Sequence, residues 1–351
     1  MATIYDVATL AGVSPATVSR VFNGVTVSPE KAEQVRHAAA ELQFTPNRTA
    51  RTLRRQSSEV IALIIPDIEN PFFTALARGV EDRAQSSGYS VVLCNSDEQV
   101  EKEARYIDIA VSENMAGVIL APASDHTNLD ALISRRRPIV GVDRSAHGYE
   151  IDAVLADNAA GGRVAAETLF NRGHARVACI TGPADVETSQ KRAAGWRDVF
   201  ETRNPDANPD TYLRYSNYRI DGGWDAMAEL MALPTPPDAV FVANNLMAVG
   251  ALRQLASTGK TPDAVDLVSF GHLPFATLKP RGVSIVELPA RQLGITAATL
   301  LIDRINGDDQ PARTVIVPSS AVAYAESTAE SASSATLPDE SVRQRRAAHL
   351  A

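Results

Sequence analysis

Between Thr3 and Asn23 the chain reads TIYDVATLAGVSPATVSRVFN, and its second half gathers side chains suited to one kind of chemistry. Pro15, Ala16, Thr17, Ser19, Arg20 and Asn23 offer a guanidinium fork, two hydroxyls, an amide and small apolar surfaces. Such groups bond to base edges and phosphates in nucleic acid. Further along, Asn70-Pro71-Phe72-Phe73 follows one apolar run and Asp143 closes another. In open α/β sheets, strand ends of this kind are where ligands bind. Enzyme fingerprints do not accompany them: there is no G-x-G-x-x-G after a strand, no P-loop and no G-x-S-x-G elbow. Cys94 and Cys179 end apolar runs and read as buried thiols, too few for a metal site. The expectation is binding rather than catalysis, with no metal and no cofactor.

The elements that must position the first group are two short helices. Thr3 caps the first, with Asp6 at the capping-box position. Val7, Ala8 and Ala11 line one face, and Gly12 supplies the left-handed residue that stops the helix. Ser14 caps the second helix and Pro15 occupies its first position, where a missing N–H costs nothing. Val18 and Val21 face inward, which leaves Pro15, Ala16, Thr17, Ser19, Arg20 and Asn23 on the outer face or its borders. This pattern suits an αα-hairpin with a solvated face as well as a helix-turn-helix whose second helix enters the DNA major groove. A third helix follows, capped by Ser28, started by Pro29 and striped by Val35, Ala38, Ala39 and Leu42; Phe44 closes the small core and Pro46 ends the unit.

The run T-I-x-D-V-A-x-x-A-G-V-S-x-x-T-V-S-R-V-x-N resembles the DNA-binding headpiece of the LacI/GalR (lactose-repressor) family of bacterial regulators. The resemblance extends over roughly residues 2–328. It implies that Pro15, Ala16 and Arg20 read bases, and that Thr3, Thr17, Ser19 and Asn23 make phosphate or positioning contacts. Residues 47–58, rich in arginine, pass for a solvated linker on composition, but P-N-x-x-A-R-x-L resembles the family's hinge. That implies a hinge helix formed on DNA, with Leu53 as an apolar wedge in the minor groove and Ala50 as the small residue beside it.

Charge distribution fits a DNA-facing head. The whole chain carries −8, yet residues 1–58 hold seven basic residues against four acids, and the remainder holds 27 against 38. A basic head on an acidic body presents one face to DNA and keeps the other away. A chain of 351 residues exceeds one core and implies two or three domains. No signal peptide opens it and no apolar run reaches membrane-spanning length, so the cytoplasm is expected and a membrane is not.

From residue 60 the texture alternates strands and helices. Runs at 60–66, 89–96, 116–122 and 138–143 read as strands, with helices at 70–88, 100–114 and near 126–136 between them. A second such unit begins at 153. The rhythm predicts two doubly wound parallel-sheet lobes of the kind seen in periplasmic binding proteins. The segment 284–328 is expected to add one helix and one strand, and the family resemblance implies that it crosses back to the first lobe. The domain reading is therefore a headpiece over 1–46, a hinge over 47–58 and an effector and dimerisation core over 59–328. Lobe 1 takes about 59–157 plus 288–320, and lobe 2 about 158–287 plus 321–328. Residues 329–351 read as a disordered tail.

Resemblance also implies an effector site between the lobes. Phe72 and Phe73 are core aromatics or a stacking surface for the effector. Arg192, in KRAAGW, matches the family's ligand-gripping arginine. Thr188 and Tyr218 match pocket positions, and Asp143 is a further strand-end candidate. Two departures stand out: Asn245 replaces a common acid in A-N-N-L-M, and His272 replaces another in SFGHL. Losing both acids leaves Arg192 and His272 to bias the pocket toward anions such as a sugar acid or phosphate. The sequence thus describes a homodimeric repressor that reads a pseudo-palindromic operator and answers to a sugar or sugar derivative. The alternative is a free-standing sugar-binding protein of the periplasmic type, which would have a signal peptide and lack the headpiece.

Overall fold

The computed structural model describes residues 2–22, 26–44, 58–259, 265–273 and 283–323, the last four as backbone only. They form two compact units, one up to Glu59 and one from Val60.

The first unit packs α1 (Ile4–Leu10), α2 (Pro15–Phe22) and α3 (Pro29–Glu41) around Val7, Ala8, Val18, Val35, Ala38 and Ala39. Phe22 and Phe44 close one end, ring centres 5.8 Å apart. The α1 cap is a full capping box. Thr3 Oγ1 accepts from the Asp6 amide at 3.3 Å, and Asp6 Oδ2 accepts from the Thr3 amide at 2.8 Å. These bonds hold the Asp6 carboxyl below its ordinary pKa. Gly12 has φ +62° in the turn, and Ser14 Oγ accepts from the Thr17 amide at 3.2 Å. At α3, Ser28 stands at the cap position without the expected side-chain bond, so Pro29 carries that start by its fixed φ.

The second unit holds two six-stranded sheets. Lobe 1 runs β1 (Val60–Ile65), α4 (Pro71–Ser86), β2 (Ser90–Asn95), α5 (Val100–Ser112), β3 (Gly117–Leu120), α6 (Asp130–Ser134), β4 (Ile139–Val142) and β5 (Asp152–Ala156). Lobe 2 continues with α7 (Asn158–Asn171), β6 (Val177–Thr181), α8 (Glu187–Arg203), β7 (Leu213–Tyr215), α9 (Ile220–Met231), β8 (Ala239–Val242), α10 (Asn245–Ser257), β9 (Asp266–Phe270) and β10 (Val283–Glu287). The chain then returns to lobe 1 as α11 (Ala290–Ile305) and β11 (Thr314–Val317), and ends in lobe 2 as β12 (Ser320–Ala323). The sheet orders are β11-β5-β4-β3-β1-β2 and β12-β10-β9-β8-β6-β7. Every pairing is parallel except β12 against β10.

The region after 283 holds one helix and three strands, not the single strand expected. β11 and β12 are each four residues long and separated by Pro318 and Ser319, too short for periodicity to mark. The chain passes between lobes three times, near residue 157, between 287 and 290, and between 317 and 320.

One close approach bears on the site. A Cβ at Gly162 of α7 would lie 2.2 Å from the Arg192 carbonyl on α8. The two helices therefore meet backbone to backbone, and only glycine fits between them. This fixes the height at which Arg192 leaves α8.

Candidate functional site

Helix starts edge the space between the lobes, and three of them are capped by Asx side chains. Asn70 Oδ1 accepts from the Phe72 amide at 3.0 Å, Asp157 Oδ1 from Ala160 at 3.0 Å and Asn244 Oδ1 from Met247 at 3.0 Å. With the ends of β1, β4, β8 and β9, the starts at Asn70 and Asn244 line a cavity of about 290 Å³. That lies at the small end of the usual range for ligand sites. All eight residues expected there, Phe72, Phe73, Asp143, Thr188, Arg192, Tyr218, Asn245 and His272, line this one cavity.

They differ in what they offer. Phe73 is buried in the lobe 1 core and meets Phe72 edge-on with centroids 4.9 Å apart. Phe72 is half-buried. Arg192 is 6 % exposed; its Nε donates to Asn158 Oδ1 and its Nη1 to the Ala243 carbonyl, both at 2.8 Å. Its guanidinium lies over Phe270, 4.3 Å from the ring centre. Thr188 and Ser189 hydroxyls share the Tyr218 Oη at 2.8 and 2.7 Å, and Tyr218 itself takes φ +62°.

Asp143 is the most unusual of the set. It is 5 % exposed, has φ +66°, and its Oδ1 finds no hydrogen-bond partner among the described residues. Burial raises its pKa, against the opposing pull of Arg144 and Arg192. A buried acceptor without a partner costs stability, and such costs concentrate where a ligand supplies the missing donor.

Sequence reasoning missed the groups that support these. Arg144 forms a bidentate pair with Glu98, both bonds 2.7 Å, and also donates to the Pro122 carbonyl at 3.1 Å. Burial opposes its charge, but Glu98 outweighs that and raises its pKa. Glu98, Arg144, Phe270 and Asn244 all line the cavity, as does Asn70 of the strand-end run already singled out. Strand-end position could have found Arg144, beside Asp143; nothing local links it to Glu98, 46 residues away.

Two expectations about charge need correction. Asn245 is committed to the protein: its Oδ1 accepts from the Leu246 amide at 2.9 Å and its Nδ2 donates to the His272 carbonyl at 3.2 Å. The His272 side chain is 60 % exposed, with Nε2 3.7 Å from Glu287. Asp67, Glu98 and Asp143 balance Arg144, Arg192 and Arg219 in the lining, so the expected positive bias is not present.

In the headpiece, Arg20, Ala16 and Thr3 are exposed and Pro15, Thr17 and Ser19 half-buried. The Thr17 hydroxyl lies 3.0 Å from that of Ser14. Tyr5, which the sequence reading passed over, is 69 % exposed on α1. Asn23, Ala50 and Leu53 lie outside the described residues, as do the hinge except Ser58 and the whole of 329–351.

A three-helix head with a polar second helix, joined in sequence to a two-lobed cleft fold, defines the class of ligand-responsive DNA-binding regulators. Residues 58–328 match the periplasmic binding proteins and sugar binding domain of the LacI family, and residues 3–47 match the bacterial regulatory proteins of the lacI family. The chain belongs to the LacI family, as a DNA-binding repressor with a sugar-binding effector domain. Among its relatives, the ribose operon repressor of Halalkalibacterium halodurans is 37% identical over 311 residues, which cover 87% of this chain and 91% of that one. Among solved structures, the Lac repressor dimer bound to operator and the anti-inducer ONPF is 26% identical with a TM-score of 0.81, covering 92% of this chain and 98% of that one. A LacI family regulator from Enterococcus faecium with bound ribose is 26% identical, TM-score 0.66, covering 74% and 96%. Among the described residues, no helix is long and apolar enough to cross a membrane.

Proposed function

We propose that this protein represses transcription as a homodimer on a pseudo-palindromic operator, under the control of a neutral sugar bound between its lobes. The observation that carries the effector class is the buried, unpartnered Asp143 oxygen in a cavity that Arg192 also lines. A carboxylate accepts from sugar hydroxyls and a guanidinium donates to them, while Phe72 offers a face for the ring. Balanced charge in the lining favours a neutral ligand over the anionic one that Asn245 and His272 suggested. The ribose operon repressor relative and the ribose-bound neighbour support a sugar of about this size.

Arg20, with Pro15 and Ala16, reads base edges; Thr3, Thr17, Ser19 and Asn23 make phosphate or positioning contacts; Leu53 is the hinge wedge, with Ala50 the small residue beside it. A protein that must meet the chromosome works in the cytoplasm, and the role is regulatory rather than enzymatic.

The test is thermal unfolding of the full chain with a panel of neutral sugars, sugar acids and sugar phosphates. A true effector raises the melting temperature, since a ligand at a hundred times its Kd stabilises by about 2.7 kcal/mol. A response confined to the acidic members defeats the neutral-sugar reading.

A further inference from the structure

Asp143 and Arg144 follow β4 in lobe 1, and Thr188 and Arg192 sit on α8 in lobe 2; all four line the cavity of the candidate site. The two segments also meet directly. Glu187, the first residue of α8, accepts from the Ser145 amide through Oε2 at 2.8 Å, and its Oε1 accepts from the Ser145 hydroxyl at 3.2 Å. Neither Glu187 nor Ser145 lines that cavity. Each is instead next in sequence to a residue that does, Ser145 to Arg144 and Glu187 to Thr188. A bond between the lobes therefore stands outside the cavity and fastens together the segments that bring Asp143 and Arg192 to it.

Both ends of this clasp are anchored within their own lobes. The Glu187 carboxylate is held by Lys191, one turn along α8, at 2.5 Å, and its side chain is 14 % exposed. Burial works against its charge, but Lys191 and Ser145 outweigh it and keep the pKa below the ordinary glutamate value. On the other side Arg144 donates twice to Glu98 and once to the Pro122 carbonyl, which fixes the chain leading into Ser145. Arg192 spends its bonds within lobe 2, on Asn158 and the Ala243 carbonyl, and Asp143 Oδ1 has no partner among the described residues. The distance between these two groups thus follows the spacing of the lobes, not a bond of their own. Three short passages of chain join the lobes, and such segments absorb hinge motion.

We propose that Glu187 is a positioning residue for effector binding: through Ser145 it holds the lobes at the spacing at which Asp143 and Arg192 serve one ligand. The proposal rests on that cavity being the effector site. Without the clasp the lobes spend part of their time apart, and the apparent affinity falls with the fraction of molecules still assembled. The lining itself is unchanged, so the effector still saturates the protein at higher concentration, and the loss is read in faster dissociation.

Isothermal titration calorimetry of the full chain tests this, with D-ribose, D-glucose, D-galactose and D-fructose as probes and the tightest of them carried forward. Glu187→Ala weakens that sugar about tenfold, as expected for losing a bond to a charged group. Ser145→Ala keeps the amide bond and weakens it by less. The two combined cost no more than Glu187→Ala alone, because each acts through the other. The same cycle run with Glu187→Gln, which keeps the shape and loses the charge, shows the same dependence on a smaller scale, and it serves if the alanine variant does not fold. A local role in starting α8 would give a Glu187 loss to which Ser145→Ala adds its own; that additive result overturns the proposal, as does parent-like affinity in both Glu187 variants. Arg192→Ala separates the two levels of argument. If it abolishes sugar binding while the Glu187 variants bind like the parent, only the positioning role fails. If no probe binds the parent, or binding survives unaltered in Arg192→Ala, the effector-site reading fails and the positioning role with it.

Discussion

Arg192 holds its guanidinium 4.3 Å from the centre of the Phe270 ring, so a cation from α8 rests on an aromatic from β9. The Nε and Nη1 arms are already bonded to Asn158 and to the Ala243 carbonyl. The side chain is thus locked before any ligand arrives, and binding pays little to order it.

That lock sets the first expectation. Arg192→Ala removes a charge-assisted donor worth about 1.5–3 kcal/mol, or roughly ten- to a hundredfold in effector affinity. Arg192→Lys fails almost as badly, because an ammonium cannot hold two fixed acceptors and stack flat on Phe270. Effector titrations monitored by operator release check both. A full response in either variant at ordinary ligand concentrations places the effector elsewhere.

Asp143 trades stability for binding. Burial raises its pKa in the fold, so the folded state is favoured by protonation. That contribution is complete below the ordinary carboxylate range and is lost as pH rises through the raised folded value. Asp143→Asn removes the ionisation and keeps a residue that accepts φ +66°. Its melting temperature should exceed the parent's at pH 7.5, with the gain shrinking toward pH 4, while sugar affinity falls about tenfold or more. Calorimetric unfolding at several pH values decides; a variant less stable than the parent at neutral pH contradicts the account.

For the headpiece, Arg20→Ala should cost operator binding about 1–3 kcal/mol and relax specificity at one base position. Binding to a library of single-base operator variants measures it. Equal weakening on all sequences would assign Arg20 to phosphate instead.

Leu53→Ala should reduce operator bending and affinity without changing effector binding. Circular-permutation mobility assays on bent DNA report the first and calorimetry the second. Unaltered bending removes the wedge.

The sequence showed most of this architecture because its signals were local. Val60–Ile65, Ser90–Asn95 and Ile139–Val142 lie in runs bounded by turn residues, and each is a strand within a residue of the stretch expected. The Thr3–Asp6 box and Gly12 are equally local. Resemblance supplied seven of the eight cavity residues and strand-end position the eighth, Asp143, but neither gave their division of labour. Asn245 spends its amide on the protein, Phe73 serves the core, and Asp143 keeps an oxygen unpaired. Those outcomes depend on partners tens of residues distant, as does the Glu98–Arg144 pair. Glu187 gave no signal at all, because an acid in the first turn of a helix is ordinary until Ser145 comes to meet it.

The three passages of chain between the lobes also have a topological consequence. Covalent continuity between the lobes is redundant: cutting the backbone at any single passage leaves two others intact. A protease nick near residue 157, or between 287 and 290, would yield two fragments on a denaturing gel that remain one particle in native buffer. After a cut between 287 and 290 each fragment would carry strands belonging to both sheets, and neither could complete either sheet without the other; after a cut near 157 only the lobe 1 sheet would be divided, its β11 left on the second fragment.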